Sequence, residues 1–131
     1  MPSFHDSADT PAGPEEVWKL LYDPARFPDW WAGIGTVDLG APGEYTMYPD
    51  GYPDFPMAQL LDTTRDQQRV TVSCLVSDLR FEWRLEPLAG ERGTRISVDV
   101  EIPESEAERL QTQREAIRSS LANLAQLASS G

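Results

Sequence analysis

One arginine stands where an arginine is costly. Arg114 follows Leu110 by four positions and precedes Ile117 by three, with Leu121 four further on, so a helix through this segment sets a guanidinium on its apolar stripe. A guanidinium on that stripe demands an anion or a strong acceptor. Its planar fork of donors suits a carboxylate, phosphate or enolate of a ligand. The competing reading lets the stem pack while the head reaches solvent or an internal acid. A second constellation is Trp30, Trp31, Tyr45, Met47, Tyr48, Phe55, Met57, Phe81 and Trp83. Its aromatic and thioether surfaces suit stacking on a flat or greasy molecule and equally suit an ordinary core. Tyr45, Tyr48 and Tyr52 can act as acid or donor toward a carbonyl, and Asp38, Glu44, Asp62 and Glu82 are the acids nearest the expected strands. Spacing alone identifies no catalytic pair, so whether the chain is an enzyme stays open.

Other chemistries lose their usual parts. Cys74 is the only cysteine and His5 the only histidine, which leaves no intramolecular disulfide, no cysteine-rich zinc site and no ready Ser-His-Asp or Cys-His nucleophile. No metal or cofactor is expected. Cys74 reads as a small packing residue if Val70, Val72 and Cys74 share the inward face, and His5 as a surface residue without a role. Gly33-Ile34-Gly35 lacks the strand, helix and third glycine of a dinucleotide motif and reads as a turn into a strand. With 22 acidic residues against 11 basic and a net charge of -11, the surface repels nucleic acid and anionic membrane. The first residues lack the pattern of a signal peptide and no apolar run approaches a bilayer span. The expectation is a cytoplasmic chain without membrane insertion.

The elements that must position these residues follow from periodicity. At 131 residues with average hydrophobic content, one folded domain over 1–131 is expected. After a short extended start near Phe4 to Thr10, Gly13-Pro14-Glu15-Glu16 opens a helix carrying Val17, Leu20 and Leu21, and Asp23-Pro24 opens a second, shorter one. Extended segments then run Ile34 to Leu39, Glu44 to Tyr48, Met57 to Thr63, Arg69 to Val76, Leu79 to Leu88 and Thr94 to Ile102. Phe81, Trp83 and Leu85 alternate with Arg80, Glu82 and Arg84, and Ile96, Val98 and Val100 alternate with Arg95, Ser97 and Asp99, so each strand has a greasy and a wet face. Glu82 on the wet face reads as part of a charge ladder. Pro87 to Gly93 has the glycine content of a hairpin. Pro103 ends the sheet, Ser105-Glu106-Ala107-Glu108 fits a capping box, and Leu110, Ile117, Leu121, Leu124 and Ala128 recur at helical spacing, which predicts a terminal helix of about two dozen residues.

Local strings add a resemblance. Pro14-Glu15-Glu16-Val17-Trp18-Lys19-Leu20-Leu21 with Asp23-Pro24-Ala25-Arg26-Phe27-Pro28-Asp29-Trp30-Trp31, and later Glu82-Trp83-Arg84-Leu85-Glu86-Pro87 with Gly93-Thr94-Arg95, resemble START-related polyketide cyclase/dehydrase and lipid-transport proteins. The chain departs from them in its polar first strand and in the proline- and aromatic-rich link Gly51 to Pro56. The resemblance implies an α+β helix-grip fold: a curved antiparallel sheet of about seven strands around a long C-terminal helix, with two short helices after the first strand. It also implies a cavity between sheet and helix for a small hydrophobic molecule such as a lipid, sterol or aromatic polyketide. Trp31, Tyr45, Met47, Phe55, Met57, Cys74, Phe81, Trp83, Leu110, Arg114, Ile117 and Leu121 are the expected ligand-binding residues. Three functions stay open: a carrier, a polyketide aromatase/cyclase-like enzyme using Arg114 or a tyrosine, and a protein-interaction or dimerising domain with Trp30, Trp31 and the Tyr48 to Phe55 link exposed. Monomer and homodimer are both compatible with the sequence.

Overall fold

The computed structural model describes residues 3–88 and 93–130. Seven strands form one antiparallel sheet in the order β1-β7-β6-β5-β4-β3-β2: β1 Ser3–Thr10, β2 Ile34–Leu39, β3 Glu44–Pro49, β4 Met57–Thr64, β5 Arg69–Cys74, β6 Arg80–Pro87 and β7 Thr94–Glu101. Helix α1 (Pro14–Leu21) and a 3-10 helix (Pro24–Asp29) link β1 to β2, and helix α2 (Leu110–Ser130) follows the sheet. This is the helix-grip arrangement expected from the sequence. Short turns join β2 to β3, β4 to β5 and β5 to β6, and a seven-residue link, 50–56, joins β3 to β4. The tip expected of the β6–β7 hairpin, residues 89–92, lies outside the described residues, and the pairing beside it, Pro87 opposite Thr94, is in register.

The greasy faces of the central strands form the core. Val70, Val72, Phe81, Trp83, Leu85, Ile96, Val98 and Val100 are all buried. On the opposite face, Glu82 lies between Arg80 and Arg84 at 3.9 Å from each. Arg84 continues to Asp99, which also meets His5 at 2.8 Å. The expected charge ladder is therefore present, and it extends to the lone histidine.

β1 is a full eight-residue edge strand, longer in its regularity than its polar sequence suggests. It pairs with β7 from Ser3 opposite Glu101 to Thr10 opposite Thr94. Phe4 and Ala8 pack inward, and two other inward residues bond: Thr10 donates to the Ala125 carbonyl at 2.9 Å and Asp6 meets Arg118 at 3.5 Å. Polar residues on this strand thus clamp α2 to the sheet edge.

The beginning of α2 differs from expectation. Ser105-Glu106-Ala107-Glu108 forms no capping box. Residues Glu104–Arg109 are a 3-10 helix whose first turn lacks a side-chain cap, and Glu106 inside it has non-helical φ/ψ of -115° and 15°. The cap residue there is Pro103, which has no side-chain acceptor to offer. The α-helix proper starts at Leu110.

One glycine is required by geometry. At Gly93, φ is +143° and an added Cβ would lie 2.6 Å from the Thr10 carbonyl oxygen. Gly93→Ala is expected to destabilise the fold by roughly 2 kcal/mol through backbone strain at the β1–β7 junction. The midpoint of urea unfolding measures it.

Candidate ligand cavity

The sheet curves away from α2 at the end where β3, β4 and β5 lie, and a cavity of about 240 Å³ remains there. Inward parity along the strands supplies its walls: Tyr45 and Met47 of β3, Met57 and Gln59 of β4, Val72 and Cys74 of β5, and Phe81 of β6. Trp31 and Ile34 close one side, Ser77 and Leu79 another, and Arg109, Thr112, Gln113 and Ala116 form the helix wall. Exposed members of this lining, Gly33, Arg109 and Thr112, mark where the cavity meets solvent.

An aromatic wedge fixes the inner wall. Asp23 caps the 3-10 helix by accepting from the Ala25 amide, and the turn that follows delivers two adjacent indoles into the core. Trp30 donates from Nε1 to the Leu20 carbonyl at 3.0 Å and stacks on Trp31 at 5.4 Å between centroids. Trp31 in turn meets Phe81 and Trp83 edge-on at 5.1 and 5.2 Å. The segment is held to α2 by the Ala32 amide donating to Ser120 Oγ at 2.9 Å and by Asn123 donating to the Trp30 carbonyl at 3.2 Å.

Polar groups in the wall are few. Tyr45 stands opposite Gln59, and Gln59 opposite Cys74, in one cross-strand row. The Gln59 amide nitrogen donates to the Met57 carbonyl at 3.2 Å and to Cys74 Sγ at 3.3 Å. The Tyr45 hydroxyl, the Ser77 hydroxyl and the Gln59 amide oxygen make no hydrogen bond to another described residue, and none is among the fully buried unpaired atoms, so each is open to solvent in the cavity. Arg109 is the one cation in the lining, and its Nε lies 3.1 Å from Glu106. No carboxylate and no imidazole faces the cavity among the described residues.

A family profile described as polyketide cyclase / dehydrase and lipid transport matches residues 1–129. The chain belongs to that family. No curated protein matches it. Among solved structures, the protein XoxI from Bacillus cereus superposes with a TM-score of 0.81 at 15% identity, over 96% of this chain and 94% of its own. The di-domain ARO/CYC protein BexL from the BE-7585A biosynthetic pathway gives 0.80 at 16% identity, over 96% of this chain and 46% of BexL. A START superfamily protein from Mycobacterium smegmatis gives 0.72 at 13% identity, over 95% and 97%. At these identities the likeness establishes the fold.

Within this member of the cyclase and lipid-transport family, six residues expected at the site line the cavity together: Trp31, Tyr45, Met47, Met57, Cys74 and Phe81. The other six lie elsewhere. Trp83 is fully buried behind Trp30 and Trp31. Ile117 and Leu121 are core residues against the sheet, and Leu110 is half-buried outside the cavity lining. Phe55 is 54% exposed in the β3–β4 link. Arg114 is exposed, with its guanidinium 5.2 Å above the Phe4 ring on the β1 side of the helix. The stripe carrying Arg114 is wide enough to have two flanks, and Arg114 lies on the flank turned toward the sheet edge. The row that reaches the cavity is Arg109, Gln113 and Ala116, continuing to Ser120, one residue earlier at the same spacings. Trp30 and Trp31, expected as an exposed patch in the partner reading, are 1% and 7% exposed.

Gln59 and Ser77 were not singled out by sequence. Gln59 had a signal: it shares the parity of Met57 on β4. Ser77 sits in the β5–β6 turn, where no periodicity applies.

Burial, reinforced by the neighbouring Cys74, holds the Tyr45 phenol well above the ordinary tyrosine value of 10.0. The folded state therefore keeps its proton while the unfolded chain releases one near pH 10. Stability carries no penalty from this group below pH 10 and falls as pH rises above it, by up to about 1.4 kcal/mol per pH unit. Tyr45→Phe is expected to remove that slope, as urea melts of both proteins at pH 9 and 11 would measure. Tyr48 is also raised, by desolvation first and then by its hydrogen bond to Asp38 and the Asp38 charge.

Proposed function

We infer that this chain holds a small, mainly apolar molecule between its sheet and α2, acting over residues 1–131 as one binding or carrier domain. The observation that carries this reading is the cavity itself. Apolar side chains from five strands and the aromatic wedge line it, with a few polar groups open to the cavity to orient a guest, which is the usual make-up of a small-molecule site. Family membership supports it. The affinity comes from burial of the guest's apolar surface, about 25 cal/mol per Å² before ordering costs.

A second reading is an aromatase/cyclase-like enzyme, favoured by the polar row Tyr45, Gln59 and Cys74 and by the likeness to the BexL ARO/CYC fold. A tyrosine kept protonated there is a donor able to stabilise an enol, but the described lining offers no general base, since it holds neither carboxylate nor imidazole. The carrier reading is preferred on that ground.

Native mass spectrometry of freshly purified protein, followed by denaturation and identification of what is released, tests the choice. A stoichiometric small adduct is the expected result. A clean apo monomer that also gains no thermal stability from a panel of small apolar compounds would overturn the carrier reading.

A further inference from the structure

The cavity's size and the direction of its unpaired groups restrict what fits. A volume of about 240 Å³ equals some eight water volumes at about 30 Å³ each and falls below the roughly 300 Å³ at which drug-sized pockets begin. A sterol or a multi-ring polyketide would extend beyond it, out through the mouth at Gly33, Arg109 and Thr112. A guest on the order of ten non-hydrogen atoms fills it.

The polar row then sets the chemistry of one end of that guest. Tyr45 and Gln59 are 3% and 4% exposed and stand opposite each other on adjacent strands. The Gln59 amide nitrogen is committed to Met57, whose carbonyl can only accept, so the amide oxygen is the free atom and it too can only accept. The phenol is protonated at neutral pH and has a hydrogen to donate. In the protein alone, only solvent in the cavity meets that donor and that acceptor. A hydroxyl group on the guest satisfies both at once. A carboxylate does not: it brings no hydrogen for Gln59, and its charge would be buried where the only lining cation is already paired with Glu106.

We propose that the cavity selects a compact, uncharged molecule ending in a hydroxyl group, of the single-ring phenol or short-chain alcohol class, with Tyr45 donating to the hydroxyl oxygen and Gln59 accepting its hydrogen. This rests on the carrier reading above.

Calorimetric titration with p-cresol, toluene and p-toluate separates the two levels. The expected result is p-cresol bound about tenfold or more tightly than toluene and p-toluate not bound. Tyr45→Phe and Gln59→Leu should each weaken p-cresol about tenfold while toluene binds at least as tightly as to wild type, and an unaltered melting temperature shows that the variants are folded. Ala116→Trp should abolish binding of both neutral probes, which locates them in the cavity. Toluene binding as tightly as p-cresol, p-cresol indifferent to Tyr45→Phe, or p-toluate bound through Arg109 would overturn the hydroxyl selection and leave the carrier reading standing. No binding of any probe would overturn the hydroxyl selection, and together with a clean apo monomer in native mass spectra it would overturn the carrier reading as well.

Discussion

Replacing Ala116 by tryptophan should weaken small-molecule binding by about a hundredfold or more, the equivalent of roughly 2.7 kcal/mol, with little loss of stability. Ala116 is half-buried on the cavity row of α2, and its side chain meets space where Ile117 and Leu121 meet the sheet. An indole attached there takes up volume that a guest would otherwise occupy. Its apolar surface gains contact with Met47, Met57 and Phe81, so any strain from overpacking is partly offset. The adduct in native mass spectra should vanish while the unfolding free energy from urea melts stays within about 1.5 kcal/mol of wild type. A retained adduct would place binding outside the cavity.

Trp83→Ala should have the largest effect on stability. Trp83 is 0% exposed and meets Trp30 edge-on at 5.1 Å and Trp31 at 5.2 Å. Truncation removes the ring against which the wedge is set and opens a void under it, which costs about 3–5 kcal/mol. That is a large fraction of the roughly 5–15 kcal/mol typical of a domain. Trp83→Phe should be far milder. Trp83 Nε1 is buried and has no hydrogen-bond partner among the described residues, so phenylalanine gives up ring area but also removes a donor that burial leaves unsatisfied. Urea unfolding of the three proteins tests the contrast, and equal losses for Ala and Phe would show that the indole nitrogen contributes more than its isolation suggests.

The sheet and the terminal helix were legible because their signals are periodic. Phe81, Trp83 and Leu85 state their face without reference to anything distant, and the Pro14 and Pro24 helix starts are local. The helix's orientation was less legible. Both Leu110-Arg114-Ile117-Leu121 and Arg109-Gln113-Ala116-Ser120 run at helical spacing, and only the curvature of the sheet decides which row covers core and which covers space. Arg114 illustrates the difficulty: the same position over Phe4 is compatible with an apolar stripe and with an exposed guanidinium, because a long side chain packs by its stem. The capping box failed because a sequence match to Ser105 and Glu108 takes no account of Pro103, which starts a 3-10 turn earlier. Trp31 and Trp83 look alike as sequence, yet one faces the cavity and the other lies behind it, a matter of depth that alternation does not encode.

The pairing of β1 with β7 also imposes a sequence of events on synthesis. Ser3 lies opposite Glu101, so the first strand to leave the ribosome has no partner until nearly the whole sheet has been made, a wait of roughly 5 to 20 s at common elongation rates. The hairpins from β2 to β6 join neighbours in the chain and can form as they emerge. At Phe81 and Trp83 the inward face they create is covered by the earlier aromatic wedge, and the rest of it stays open until α2 follows the sheet. A nascent chain of this design therefore carries a partly open greasy sheet beside a strand still unpaired, the combination that holding chaperones recognise, until β7 and α2 close it.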